Sequence, residues 1–165
     1  MTSGLYRIKQ WMYEGGRPNW LARAMNHTSA LQFSTGVFAP RSWVTLEVTG
    51  RRTGRLVSVP VVVTEVDGAR YLVSMLGGSA NWVHNARAAD GRVTLRHGRR
   101  EQVRLAEVAT EWRAPILRRY LQVAPGARPH FPVDRHASLE EFEAIAADYP
   151  VFKIVRPAEP HPEQD

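Results

Sequence analysis

The turn from Gly50 to Arg55, with the sequence Gly-Arg-Arg-Thr-Gly-Arg, holds the side chains best suited to bind an anion. Its glycines let the backbone bend so that several N–H groups converge, and three guanidinium groups crowd the same turn. Amides and arginine side chains arranged in this way bind phosphate or carboxylate. A solvated hairpin tip that is merely basic explains the same residues. The turn is not a Walker A loop, because G-x-x-x-x-G-K-[ST] is absent.

A second candidate runs from Ser74 to Asn85, where Gly77-Gly78 leads into a predicted helix that Asn81 would cap. A glycine pair before a helix lets a ligand approach the backbone closely and offers amide groups to an anion. Trp82 would then pack on a flat ring. A tight turn followed by a helix whose Trp82 belongs to the core is the alternative interpretation.

Several other kinds of chemistry are excluded or unsupported. The chain has no cysteine, which excludes thiol catalysis, disulfides and cysteine-ligated metals. The six histidines lack metal-ligand spacing, so no metal site is predicted, and no G-x-S-x-G motif is present. Glu140, Glu141 and Glu143 are expected to form an exposed helix face. The basic residues from 87 to 104 have no aromatic residue among them, so nucleic-acid binding is not predicted.

The charge of the chain is unevenly distributed. Its 165 residues include 22 basic and 16 acidic side chains, a net charge of +6. Residues 1–100 hold 14 of the basic and 5 of the acidic side chains, so the positive excess lies in the first part of the chain. Such an excess favours an anionic partner.

The elements that must position these segments follow from hydrophobic spacing. Apolar residues recur at helical spacing on both sides of Gly15-Gly16, which predicts two helices within the first 40 residues. Alternation predicts a half-buried strand over 43–49 and a longer strand over 56–66, which Pro60 places at a sheet edge or a bulge. Asp67-Gly68 predicts a hairpin. Further strands are expected over 71–75, 92–97, 102–108 and 151–155, and helices over 81–89, 115–122 and 139–148.

Hairpin-linked strands exclude a doubly wound parallel sheet, which needs crossover connections. We therefore predict an α+β chain built on an antiparallel barrel of about six strands surrounded by helices. One domain is expected over residues 1–156, including the helices in residues 1–40, followed by a disordered, acidic and proline-rich tail over 157–165.

The expected location is the cytoplasm, since no signal peptide and no membrane-spanning apolar run is found. The amphipathic helices of residues 1–40 either cover the sheet or rest on the inner face of the membrane. The chain is expected to be a monomer or a homodimer.

Taken together, these motifs resemble the deazaflavin-dependent nitroreductases and quinone reductases of actinobacteria, which use coenzyme F-420 on a split β-barrel. The resemblance covers residues 40–110, with a further likeness from Arg113 to Ile154. The segments that carry it are the Thr49–Arg55 turn, Pro60 ten residues after Gly50, the Ser74-x-x-Gly77-Gly78 loop, and Trp82-x-x-Asn85 before Ala86-x-Ala88.

The resemblance implies an oxidoreductase in which the coenzyme carries a hydride to a quinone, a nitro compound or another apolar conjugated acceptor. The basic turn would hold the phosphate and anionic tail of the coenzyme, and the strand and glycine loop would contact its ring. The N-terminal helices would form a lid or entrance for the acceptor. The implied coenzyme-binding residues are Arg51, Arg52, Thr53, Arg55, Ser58, Val59, Pro60, Val61, Ser74, Met75, Gly77, Gly78, Trp82 and Asn85.

No acid–base residue is required by this chemistry, and Ser74 and Tyr149 are the candidates for one. The sequence departs from the family at Val57, where an arginine is common, and it lacks the usual Asn-Pro before Trp82. Two alternatives therefore stay open. FMN would occupy the same barrel, as in pyridoxamine-phosphate-oxidase-like relatives, or the barrel would carry a cofactor or lipid without catalysis.

Overall fold

The structure, a computed structural model, describes residues 41–157. In this part of the chain the strands are β1 (Trp43–Thr49), β2 (Leu56–Val62), β3 (Thr64–Val66), β4 (Ala69–Val73), β5 (Arg92–His97), β6 (Arg99–Glu107) and β7 (Val151–Val155). The α-helices are α1 (Asn81–Ala88), α2 (Ala114–Val123) and α3 (Leu139–Ile145). Short 3-10 helices cover Thr110–Trp112, Pro125–His130 and Ala146–Asp148. The predicted helices of residues 1–40, and the predicted tail from residue 158 onward, lie outside the described residues.

The seven strands form one antiparallel sheet in the order β2-β1-β5-β6-β7-β4-β3. β2 and β3 lie at its opposite edges, although Val63 alone separates them along the chain. The sheet must therefore curl until its two edges meet, which makes it a barrel. The α+β antiparallel barrel is thus confirmed, with seven strands here because the predicted strand over 56–66 divides at Val63.

The turns of the sheet follow the predicted chemistry. Asp67 and Gly68 have φ values of 50° and 76°, the left-handed pair that a two-residue hairpin needs between β3 and β4. Gly98, with φ of 70°, joins β5 to β6. The hairpin predicted at Asp67-Gly68 is confirmed.

The prediction of a half-buried β1 is wrong, because both faces of the strand are buried. Val44, Leu46 and Val48 point into the barrel, as their spacing indicates. Thr45 and Glu47 on the other face are only 0% and 4% exposed. Arginines from β5 and β6 contact the Glu47 carboxylate at 3.2 and 3.5 Å, so a charge that alternation assigned to solvent is paired on the barrel wall.

Two hydrophobic clusters stabilise the described chain. One fills the barrel, where Trp82 of α1 packs on Phe152 of β7 with ring centroids 5.5 Å apart. The other joins α2 and α3 to the outside of β4 and β7, with Leu117, Leu121 and Phe142 fully buried. The helices thus cover one flank of the barrel while α1 closes its interior.

The helix boundaries correct two predictions. Asn81 is the first residue of α1 rather than its cap, a position that Ala80 takes without a side-chain hydrogen bond. The helix predicted over 139–148 ends as an α-helix at Ile145 and continues as a 3-10 turn. Ser138 and Glu141 form a reciprocal capping box at its start, and the glutamates of its first turns are exposed as predicted.

Among residues 41–157, no helix is both long and apolar enough to cross a membrane.

Gly91, between α1 and β5, is the position where a side chain is least tolerated. Its φ is +76°, and a Cβ atom there would overlap the carbonyl oxygen of Leu105. A left-handed non-glycine residue alone costs about 1–3 kcal/mol, and the overlap adds to this cost. We expect Gly91→Ala to lower the free energy of unfolding by at least about 2 kcal/mol, measured by urea denaturation.

Gly126→Ala is the matched control, because a Cβ there would meet nothing within 4 Å. Its free energy of unfolding should match that of the unmodified chain. Equal losses in the two variants would contradict the prediction.

Candidate functional site

The basic turn after β1 is closed by its own hydrogen bonds. The Gly50 N–H donates to the Arg55 carbonyl at 2.7 Å, and the Gly54 N–H donates to the Gly50 carbonyl at 2.9 Å. The Arg55 N–H donates to Thr53 Oγ1 at 3.3 Å. Three of the amides expected to converge on an anion are therefore used inside the turn, so the guanidinium groups must carry most of its capacity to bind one.

Arg51 joins this turn to helix α1. Its backbone N–H and its Nη1 both donate to Asn85 Oδ1, at 3.1 and 2.9 Å. Asn85 is buried, with 4% of its surface exposed, so the acceptor is held firmly by the helix. The contact brings together two segments that the sequence places 34 residues apart, and it fixes the orientation of the turn.

Arg51, Arg52 and Arg55 are all exposed, but only the guanidinium of Arg51 has a hydrogen bond within the described residues. Neither Arg52 nor Arg55 forms an ion pair with any residue in the described range 41–157. Two uncompensated guanidinium groups on a turn of fixed shape suit a ligand with several negative charges.

The glycine loop after β4 is pinned to the segment that precedes β7. The Ser74 N–H donates to the Pro150 carbonyl at 3.0 Å, and the Ser74 hydroxyl donates to the Gly77 carbonyl at 2.7 Å. Gly77 has φ of +80°, and a Cβ there would stand 3.1 Å from the carbonyl oxygen of Asp148. The loop can therefore pass this close to the chain only because residue 77 is glycine.

Strand β2 has an open edge beside this loop. It pairs with β1 alone, in a register that places Pro60 opposite Thr45, so Pro60 stands in an edge strand as predicted. β2 also contacts β4 without pairing with it, and β4 leads directly into Ser74. We call the seam between β2 and β4 the edge cleft, with residues 58–61 of β2 on one side and residues 74–78, which follow β4, on the other.

Side chains alternate along β2. Val57, Val59 and Val61 pack against the barrel interior, whereas Ser58 is exposed. Val57 stands at the position where the sequence analysis noted that an arginine is common. Its side chain packs on the hydrophobic interior, and the residue lies opposite Val48. A charged group at this position would have to be buried there.

Trp82 lies in the barrel interior with 9% of its surface exposed. Its contact with Phe152 is the core packing that one interpretation of the sequence indicated. A contact between Trp82 and a bound ring stays a prediction.

The hydroxyl groups that could move a proton are engaged elsewhere. Tyr149 stacks on Phe131, with centroids 4.0 Å apart and an interplanar angle of 16°, and its hydroxyl donates to the His130 carbonyl at 2.8 Å. Burial raises the pKa of nearby Tyr120, which therefore stays protonated at neutral pH. The Ser74 hydroxyl is bound to Gly77 as described.

The sequence of this chain matches the model of the F-420H2-dependent quinone reductase family over residues 21–135, which is more than half of its length. The chain belongs to this family. It is therefore an oxidoreductase that uses coenzyme F-420. A comparison with curated proteins gives no match.

Several solved structures are similar to this chain. A protein described as a domain-swapped dimer is 18% identical, with 82% of this chain and 97% of that chain covered and a TM-score of 0.50. An F-420H2-dependent reductase, FDR-A, is 19% identical, with coverages of 69% and 94% and a TM-score of 0.47. A putative 5-nitroimidazole antibiotic resistance protein from Bacteroides thetaiotaomicron is 13% identical, with coverages of 68% and 71% and a TM-score of 0.47.

The basic turn and the edge cleft have groups of the kinds that this coenzyme requires. Its anionic tail requires cations that are not already neutralised, and Arg52 and Arg55 have no ion pair in the described range. Its flat ring requires backbone that it can approach closely, and the glycine loop and the open edge of β2 supply that. Arg113 and Glu107, which sequence reasoning missed, hold the framework behind the loop.

Arg113, at the start of α2, is buried with 7% of its surface exposed. Its Nε donates to the Val108 carbonyl at 2.8 Å, and its Nη1 donates to the Ala146 carbonyl at 3.1 Å and the Tyr149 carbonyl at 3.4 Å. Glu107 contacts Arg113 at 3.5 Å and also accepts from Arg87, whose pKa this hydrogen-bonded pair raises. Arg113 therefore fixes the segment 146–149 against which Gly77 packs.

We expect Arg113→Met to lower the free energy of unfolding by about 3 kcal/mol, because it leaves buried carbonyl groups without donors. Urea denaturation measures the loss. Arg92→Met is the control, since Arg92 is exposed and should lose no more than about 0.5 kcal/mol. A loss in Arg113→Met as small as in the control would show that the buried guanidinium does not hold the segment.

Proposed function

We propose that the chain transfers a hydride from reduced F-420 to an apolar conjugated acceptor, a quinone or a nitro compound, in the edge cleft. The observation that carries the proposal is the contact of Arg51 with Asn85, which sets a turn bearing uncompensated guanidinium groups beside the helix that follows the glycine loop. The bound coenzyme supplies the redox chemistry, so the protein has to bind and orient it and position the acceptor.

In this proposal Arg52 and Arg55 neutralise the phosphate and the anionic tail, with Thr53 shaping the turn through its bond to the Arg55 amide. Arg51 acts mainly as the link to α1. The backbone of residues 58–61 and the loop of residues 74–78 hold the ring, with Met75 at its edge. Ser74 positions Gly77 and does not move a proton, because its hydroxyl is buried and already donates.

An apolar acceptor is supported by the surface beside the cleft. Leu56, at the start of β2, is 60% exposed, and Leu76, within the glycine loop, is 44% exposed. Large exposed hydrophobic residues on two segments that border one cleft favour an apolar molecule at its mouth. The acceptor needs no acid–base group from Tyr149, whose hydroxyl is bound to His130.

The direct test is a fluorescence titration of the purified chain with F-420, followed by an assay of hydride transfer from reduced F-420 to menadione. We expect a micromolar dissociation constant and turnover of menadione. A chain that binds FMN and not F-420, or that binds F-420 without turning over any quinone or nitro compound, would contradict the proposal.

The basic turn is tested by charge reversal. We expect Arg52→Glu to weaken F-420 binding at least about tenfold, or ~1.5 kcal/mol, because a charge-assisted contact is replaced by repulsion. Lys153→Glu reverses an exposed charge on β7 and should leave the dissociation constant unchanged. Equal affinity of the Arg52→Glu variant and the unmodified chain would move the tail away from this turn.

A further inference from the structure

A cavity of about 660 Å³ opens at the end of the barrel away from the basic turn. Its walls come from β1, β3, β4, β5, β6 and α2. Val44 stands near the first residue of β1, and the basic turn follows the last residue, Thr49. At ~3.3 Å per residue the two lie about 16 Å apart along the strand. The far cavity is thus separate from the basic turn.

The inner wall of the far cavity is apolar. Val44, Val63 and Leu95 belong to the barrel interior and are buried, and Val123 contributes from the end of α2. A volume of this size lies within the range of sites for small organic ligands, about 300–1,000 Å³. An apolar body therefore has both room and matching surface.

The rim of the far cavity is basic. Arg70 and Glu101 neutralise each other through two hydrogen bonds of 2.6 and 3.0 Å, which lower the pKa of Glu101. Within the described range, Arg41 and Arg99 form no ion pair, and Arg119 donates only to the side-chain oxygen of Gln122 at 3.1 Å. Glu65 is the remaining carboxylate on the rim. Together with Glu101, it acts on Arg70, whose pKa both carboxylates raise. Three further guanidinium groups on the rim have no ion pair within the described residues.

We propose that the far cavity is a second binding site, for a small molecule with an apolar body and a carboxylate group. The planar guanidinium fork matches a carboxylate with two parallel hydrogen bonds, and the valine and leucine wall receives the apolar body. The far cavity and the edge cleft are neighbours, since Val61 pairs with Val44. The basic turn, which would hold the anionic tail of the coenzyme, lies at the other end of β1.

The test uses the full chain saturated with F-420 and titrates it with 2-naphthoate by isothermal calorimetry. We expect one binding event, unchanged when F-420 is omitted. The uncharged analogue 2-naphthalenemethanol should bind at least about tenfold more weakly, since it has the same ring system without the charge.

Two variants locate the binding event. Arg99→Ala and Arg119→Ala should each weaken 2-naphthoate binding several-fold and leave F-420 binding unchanged. Arg118→Ala is the matched control, because Arg118 precedes Arg119 on α2 and does not line the far cavity. Val63→Phe, which fills the cavity, should abolish the event, and its far-ultraviolet circular dichroism verifies that the variant is folded.

Several results would overturn the proposal. The first is that 2-naphthoate does not bind, and the second is that it competes with F-420. The third is that Arg52→Glu or Arg118→Ala weakens 2-naphthoate binding as much as Arg99→Ala does. Since F-420 binding is measured separately in each variant, failure of the far cavity is distinguishable from failure of the proposed function.

Discussion

Val63 imposes the constraint on which the described structure depends, because it alone joins the two edges of the seven-stranded sheet. A link of one residue cannot cross an open sheet, so the sheet has to curl until β2 lies beside β4. The two strands meet there without pairing, and the edge cleft is the result. The same curl encloses the interior that ends in the far cavity. Both candidate sites thus follow from the closure of the barrel.

The edge cleft is held by side chains that bind backbone, rather than by the rigidity of its loops. Asn85 fixes the turn through Arg51, and Arg113 fixes the segment behind Gly77 through two of its carbonyl groups. These contacts cross 34 and 36 residues of sequence at their longest. Because each is made by a buried or half-buried group, solvent screens them little, and they preorganise the site before a ligand arrives.

The sequence predicts what depends on neighbouring residues. The strand over residues 43–49, the Asp67-Gly68 hairpin and the strand Val151–Val155 need only local spacing, and each is found in the structure. The prediction of the cofactor and of the segments that would contact it came from the resemblance to the family. Three features depend on elements that meet only after folding. They are the burial of Glu47, the contact of Arg51 with Asn85, and the far cavity. Arg113 could not be distinguished by spacing from the other arginines, since its burial depends on contacts with Val108 and the segment 146–149, which are made only in the folded chain.

The open edge of β2 has a consequence for the protein without its coenzyme. A strand edge kept free for a ligand presents unpaired N–H and C=O groups that a strand of another molecule can also engage, which is how sheets associate edge to edge. Pro60 removes one N–H from that strand, and its ring obstructs a continuous ladder. The proline that marks the cleft therefore also protects the chain against self-association at the concentrations of purification and storage.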